Sequence, residues 1–148
     1  MFCRIVVGTD GSDTAAEAVR QATELAKLTG ARLDVVSAFE PIPQSRIRSE
    51  SGSAPGDVQY EIGPREDVNL VIENARGEAK KAGVDEVEGH SREGDPADAI
   101  LDVAEEVKAD LIVVGNKGMT GARRFLLGSV PNKVSHHAPC SVIIVRTT

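Results

Sequence analysis

Residues 110–130 read DLIVVGNKGMTGARRFLLGSV: an apolar run, then four glycines within fourteen residues. The run through Val114 shows no polar alternation. A short strand of that kind is buried on both faces, which is the habit of a parallel sheet covered by helices. The glycines have two explanations. They serve tight turns, or they bare the main chain so that a charged ligand can come close. A helix expected from near Ser129, running through Val130 to His137, would aim free N–H groups and the positive end of its dipole at such a ligand.

The rest of the chain supplies the other parts of such a sheet. RIVVG (4–8) is a β-branched run ending in glycine and reads as a buried first strand. Ala15, Ala18, Val19, Ala22, Leu25 and Ala26 follow at helical spacing, with Ser12 or Asp13 placed to cap the start and Gly30 to close the end. RLDVVSAF (32–39) is a second strand. Val68, Val71, Ile72, Ala75, Ala79 and Ala82 mark a second helix, weakened by Gly77. The segment 84–93 holds a third, more exposed strand. Asp95-Pro96 is a capping residue followed by proline at the first helical position. Ala97, Ile100, Leu101, Ala104 and Val107 then form the inner face of a third helix. CSVIIVR (140–146) is a fifth strand. Alternating strands and helices argue for an open α/β parallel sheet with right-handed crossovers and helices on both faces. In such sheets ligands bind beyond the carboxyl ends of the strands. GTDGS (8–12) and GNKG (115–118) both fall there.

The segment 40–65 is rich in Pro, Ser and Gly and has little periodicity. It reads as a mobile loop, a lid or an arm, inside one domain spanning 1–148. The chain has 148 residues and a net charge of −6. That balance lacks the basic footprint of a nucleic-acid binder. No apolar run is long enough to span a bilayer, and the start lacks the parts of a signal peptide. A cytoplasmic protein without a membrane partner is expected. Charge is unevenly distributed: Asp110 is the last acid, and Lys117, Arg123, Arg124, Lys133 and Arg146 give +5 beyond it, leaving −11 on the remainder. A locally basic segment in an acidic chain fits an anion held at one place. The two cysteines, Cys3 and Cys140, are too few for a disulfide framework or a cysteine zinc site and read as small core residues.

Neither the Walker A signature nor G-x-G-x-x-G is present. What stands here is Gly115-x-x-Gly118, nine residues, then Gly128-Ser129. That spacing resembles the G-2x-G-9x-G-[ST] motif of the nucleotide-binding branch of the universal stress protein family. IVVGTDGS at the start, ADLIVVG in the middle, and LLGSV leading to CSVIIVR extend the resemblance over nearly the whole chain. It implies a Rossmann-like, five-stranded, ATP-binding α/β domain with strand order 3-2-1-4-5. It also implies a site. Gly115, Gly118, Gly128 and Ser129 would line the ribose and phosphates, with Val130 adding an N–H and Asn116 and Lys117 lying between the glycines. Gly8, Thr9 and Asp10 would lie near the ribose or adenine, and Val36 would offer backbone atoms to adenine. Arg123 is preferred over Arg124 for a phosphate. With that strand order the first and fifth strands stand two places apart, at about 4.8 Å per step, beyond the roughly 7 Å reach of a disulfide. Cys3 and Cys140 should therefore stay reduced.

Several residues have plainer readings. Ser129 is a natural helix cap, and capping coexists with phosphate binding. Asp10-Gly11 is a strong turn signal. His136 and His137 suit the end of a helix, and as neighbours they do not face one metal. The apolar edge SVIIV invites pairing with the same strand of a second chain, giving a two-fold homodimer through 140–146, as the resemblance also implies. Phosphoryl transfer needs a positioned base and usually a metal held by carboxylates. No carboxylate follows Asp110, and only Asp10 and Asp13 are placed to approach Mg²⁺. The expectation is a nucleotide-binding stress-response sensor or regulatory module with at most weak ATPase activity. Cyclic AMP competes with ATP as the ligand. An adenylyl or phosphoryl transferase is the enzymatic alternative, and an interaction protein with a vestigial loop is the third. A flavin is disfavoured by an aromatic content of 3% without Trp.

Overall fold

The computed structural model describes residues 2–39, 57–116 and 128–147. Along the chain stand β1 (Arg4–Gly8), α1 (Asp13–Thr29), β2 (Arg32–Phe39), α2 (Asp57–Ala82), β3 (Val87–Glu93), α3 (Pro96–Val107), β4 (Leu111–Gly115), α4 (Ser129–His137) and β5 (Ser141–Val145). The strands form one sheet in the order β3-β2-β1-β4-β5, and every neighbouring pair is parallel. This is the α/β arrangement and strand order expected from the sequence.

The period-two geometry of a strand sends alternate residues to opposite faces. Ile5, Val7, Leu33, Val35, Leu111 and Val113 pack with Ala18, Ala22, Ala75 and Ala79 of α1 and α2. Val6, Val36, Ile112 and Val114 pack with Ile100, Val103 and Ala104 of α3 and Val134 of α4. The central strands are mostly apolar because they are covered twice, with Asp34 and Ser37 of β2 the buried polar exceptions. β3 stands at one edge, with Val87 its one buried residue, which accounts for its more polar sequence.

Helix ends follow local chemistry. The Ser12 hydroxyl accepts the Ala15 N–H at 3.2 Å, and Gly30 takes the left-handed conformation (φ 71°) that closes α1. The Asp95 carboxylate accepts the Asp98 N–H at 3.0 Å, with Pro96 in the first turn of α3. Either substitution to Ala at these two caps would cost about 1 kcal/mol.

Three local expectations are corrected. Residues 57–65, read as the end of the loop, are helical: α2 starts at Asp57 and runs through Gly63 and Pro64. The twenty-six-residue helix continues through the Gly-Pro pair. Ser129 does not cap α4; Gly128 holds the cap position, without a side-chain hydrogen bond, and Ser129 is the first helical residue. Cys3 is exposed rather than in the core, because it stands one residue ahead of β1; Cys140 is part-buried. Neither cysteine is in a disulfide, in keeping with the strand order.

Candidate functional site

The carboxyl ends of β1, β2 and β4 open onto a cleft. β1 ends there with Gly8, Thr9 and Asp10; β2 contributes Val36, Ser37 and Ala38; β4 contributes Val114 and Gly115. Ala15 of α1, Pro96 and Ile100 of α3, and Val130 and Pro131 of α4 complete the walls. The position follows from the topology. The chain leaves β1 toward β2 on one side of the sheet, and β4 lies on the other, so the crossover helices diverge and leave a gap.

Gly8 has a steric reason to be glycine. A Cβ built on it would overlap the end of the Ile100 side chain, so any larger residue would force Ile100 of α3 to turn aside. The tip of β1 is braced by its own hydrogen bonds. The Thr9 N–H donates to the Val36 carbonyl at 2.9 Å, and the Gly11 N–H donates to Thr9 Oγ1 at 3.1 Å. The Ser12 N–H donates to Asp10 Oδ1 at 2.9 Å, so Asp10 fills the turn role that its Asp-Gly sequence signals. Gly11 at φ 82° lies in the left-handed region, and a Cβ there would stand 2.7 Å from Val71 of α2.

Three helices, α1, α3 and α4, begin at this cleft, and their N-termini differ; α1 is already capped by the Ser12 hydroxyl and carries Asp13 in its first turn. Asp95 supplies α3 with its own carboxylate cap, so negative charge already stands there. The cap residue of α4 is Gly128, which brings no side-chain acceptor. The N–H groups of Ser129 and Val130 head that helix, while Pro131 has none. An anion in the cleft therefore gains most from α4, through hydrogen bonds to charge worth roughly 1.5–3 kcal/mol each and a dipole contribution of about 0.3–1 kcal/mol.

The basic character of the C-terminal segment is partly consumed within the fold. Lys133 Nζ of α4 lies 2.8 Å from Asp98 Oδ1 and 3.4 Å from Asp95 Oδ2. The bond to Asp98 and the field of Asp95 hold the Lys133 proton more tightly than usual. Lys133 thus ties α4 to the first turn of α3 instead of serving the cleft. Among the described residues no three His, Cys, Asp or Glu side chains come together as a metal cage. Asp10, already engaged with Ser12, does not by itself fit a protein-held Mg²⁺.

Of the residues expected at the site, Gly8, Thr9, Asp10, Val36, Gly115 and Val130 line the cleft. Gly128 and Ser129 stand beside it at the head of α4. Lys117, Gly118 and Arg123 lie outside the described residues. Asn116 is turned elsewhere: its Oδ1 accepts the Thr147 N–H at 2.9 Å and the Thr147 hydroxyl at 2.8 Å. Sequence reasoning missed Ala15, Ser37, Ala38, Pro96, Ile100, Val114 and Pro131 as lining residues. Pro96 had been legible as a helix start, and a helix start after a strand is where such a cleft forms.

Comparison with known proteins agrees with this architecture. The Universal stress protein family model matches residues 1–146. A universal stress protein of Mycobacterium tuberculosis is 38% identical over 144 residues, covering 97% of this chain and 96% of the relative. A crystal structure of a universal stress protein in complex with cAMP is 35% identical with a TM-score of 0.76, covering 99% of each chain. A universal stress protein from Archaeoglobus fulgidus in complex with dAMP is 29% identical with a TM-score of 0.66, covering 96% of each chain.

Proposed function

Because the chain belongs to the universal stress protein family, we propose that its cleft is an adenine-nucleotide site and that the protein acts as a nucleotide-responsive stress module. The observation that carries this reading is the joining, in one cleft, of an apolar slot and the uncapped head of α4. The slot between Val36, Ala38, Ile100 and Val114 suits a flat heterocycle. Thr9 and Asp10 at its rim suit the ribose hydroxyls. Gly115, Gly128 and Ser129 stand on the phosphate side in this reading, with the Val130 N–H adding a donor; Gly118, Lys117 and Arg123, outside the described residues, join them on the motif spacing alone.

ATP is the first ligand in this reading, because three phosphates use the whole Gly115–Val130 segment. Cyclic AMP is the second, supported by the 35% identical relative whose crystal structure is a complex with cAMP. The scarcity of carboxylates around the phosphate side limits the protein to binding with weak ATP hydrolysis at most, with Mg²⁺ arriving on the nucleotide's own phosphates. The same reading includes a homodimer. β5 pairs with β4 on one side, and Val142, Ile143 and Ile144 remain part-exposed along the sheet edge. A second copy paired there would cover them.

Denaturing the purified protein and identifying any released small molecule by mass spectrometry tests the site, together with titration of ATP and cAMP into ligand-free protein. Binding of either with micromolar affinity supports the reading. Failure of both to bind at millimolar concentration rejects it.

A further inference from the structure

Asn116 stands at a junction of four segments. Its N–H donates to the Val145 carbonyl at 2.9 Å, at the end of β5, and its own carbonyl accepts the Gly128 N–H at 3.0 Å, at the head of α4. Its side-chain oxygen accepts both the N–H and the hydroxyl of Thr147, thirty-one residues away. Asn116 itself directly follows Gly115, which lines the cleft. One residue thus joins the end of β4, the end of β5, the C-terminal tail and the cap of α4.

We propose that Asn116 is a positioning residue for the phosphate side of the site, acting through Gly128 and anchored by Thr147. The proposal rests on the nucleotide reading above and gives Asn116 a role other than ligand contact. The physical argument concerns what fixes α4. Gly128 caps that helix with no side chain of its own; its carbonyl accepts the Asn132 N–H at 3.2 Å, but its N–H needs a partner from outside the helix. The Asn116 carbonyl is that partner, and a backbone carbonyl points reliably only when its residue is held on both sides. β5 holds the Asn116 N–H, and Thr147 holds its side chain with two hydrogen bonds to one oxygen. The Ser129 and Val130 N–H groups are thereby aimed before any anion arrives. Preorganised donors bind charge more tightly than donors that must be ordered at the moment of binding. The tail residue Thr147, beyond the last strand and outside the cleft lining, becomes part of the binding apparatus.

Two variants and their combination test this in the full chain: Asn116→Ala, Thr147→Val, and both together. Thr147→Val removes one of the two bonds while leaving the backbone N–H. Nucleotide titration of each should show weakening by about tenfold for Asn116→Ala and a few-fold for Thr147→Val, the scale of one or two hydrogen bonds. The double variant should be no weaker than Asn116→Ala alone. In ligand-free protein, amide exchange at Gly128 should quicken in both single variants. Asn116→Asp, which keeps the acceptor for Thr147, should restore the slow exchange. Nucleotide affinity that falls in Asn116→Ala but is untouched by Thr147→Val, with Gly128 exchange unchanged in both, would overturn the proposal in favour of direct contact. Additive losses in the double variant would overturn it as well. If the wild-type chain binds no adenine nucleotide, the nucleotide reading and the positioning role fail together. The exchange data then report separately on whether Thr147 holds the junction.

Discussion

Ile100 of α3 occupies the space above Gly8 at the end of β1: a methyl group there would overlap Ile100 Cδ1 and stand 3.0 Å from Cγ1. Both residues line the cleft. The contact therefore sets the depth of the slot. Gly8→Ala should destabilise the protein by about 1–3 kcal/mol through overpacking, and Ile100→Ala by about 2–5 kcal/mol through the cavity it leaves. Urea denaturation of the double variant should show less destabilisation than the sum of the two, because the smaller side chain makes room for the added methyl. Additive losses would mean that the two residues do not share this space.

On the same face of the sheet, toward its other end, His90 Nε2 of β3 lies 2.9 Å from Oδ1 of Asp34, a side chain with no exposed surface. Arg32 reaches the same oxygen at 3.2 Å. Asp34 Oδ2 is buried with no hydrogen-bond partner among the described residues. A buried carboxylate with so few partners depends on each of them. His90→Ala should cost about 1–3 kcal/mol, measured by denaturation, because it strips a bond from a buried charge. Asp34→Asn, which keeps the shape and removes the charge, should cost less than His90→Ala.

Acid lability should come in part from two surface pairs. The hydrogen bond from Arg20, helped by Gln21, lowers the Glu17 carboxyl from 4.5 to about 2. Arg92 lowers Glu106 in the same way. A carboxyl whose folded value is depressed adds stability that is full above its unfolded value and disappears as pH falls through the folded one. The melting temperature should therefore fall between pH 4.5 and about 2, and Glu17→Gln should flatten that limb. Lys133 works in the opposite sense. Its raised value adds stability that is full below 10.5 and is lost as pH climbs past the folded value. Lys133→Met should flatten the alkaline limb. All three pairs are exposed, so both effects should shrink in high salt.

Gly128 has φ −63° and ψ 166°, a conformation open to any residue. Gly128→Val should therefore leave the fold in place, at a cost of about 1 kcal/mol for a poorer helix cap, while blocking nucleotide uptake, as measured by titration. If uptake survives this change, small size at the head of α4 is not what the site needs.

The two thiols should differ in reactivity. Cys3 is exposed, whereas burial and then the charge of Asp110 push the Cys140 thiol up. Timed alkylation followed by mass spectrometry should label Cys3 first, with Cys140 slower and without any disulfide between them. Equal labelling rates would contradict the burial of Cys140.

What the sequence disclosed and what it hid divide along the range of the interactions. Ser12, Gly30 and Asp95-Pro96 were legible because caps depend on neighbours three or four residues away. The buried strands were legible because being covered on both faces leaves no room for polar alternation. The cleft was legible at Gly8–Asp10, Val36, Gly115 and Val130, where a motif or a strand end marks it. The side-chain partner of Asn116 was out of reach because Thr147 is thirty-one residues away. A motif position between two glycines gives no sign that its side chain turns toward the tail. The pairing of Asp34 with His90, fifty-six residues apart, is set by the register of β2 and β3 and was equally out of reach. The start of α2 was missed for a local reason: the Pro-, Ser- and Gly-rich composition of 40–65 reads as loop, and the helix begins at Asp57 all the same.

An amide NMR titration of the full chain with ATP, repeated with cAMP, tests the central claim most directly. Saturable shifts should concentrate at Gly8, Thr9, Asp10, Gly115, Ser129 and Val130, with the opposite end of the sheet, at Arg32 and Glu86, left still. Shifts gathered instead between α1 and α2, around Thr23 and Asn74, with the head of α4 silent, would contradict the account.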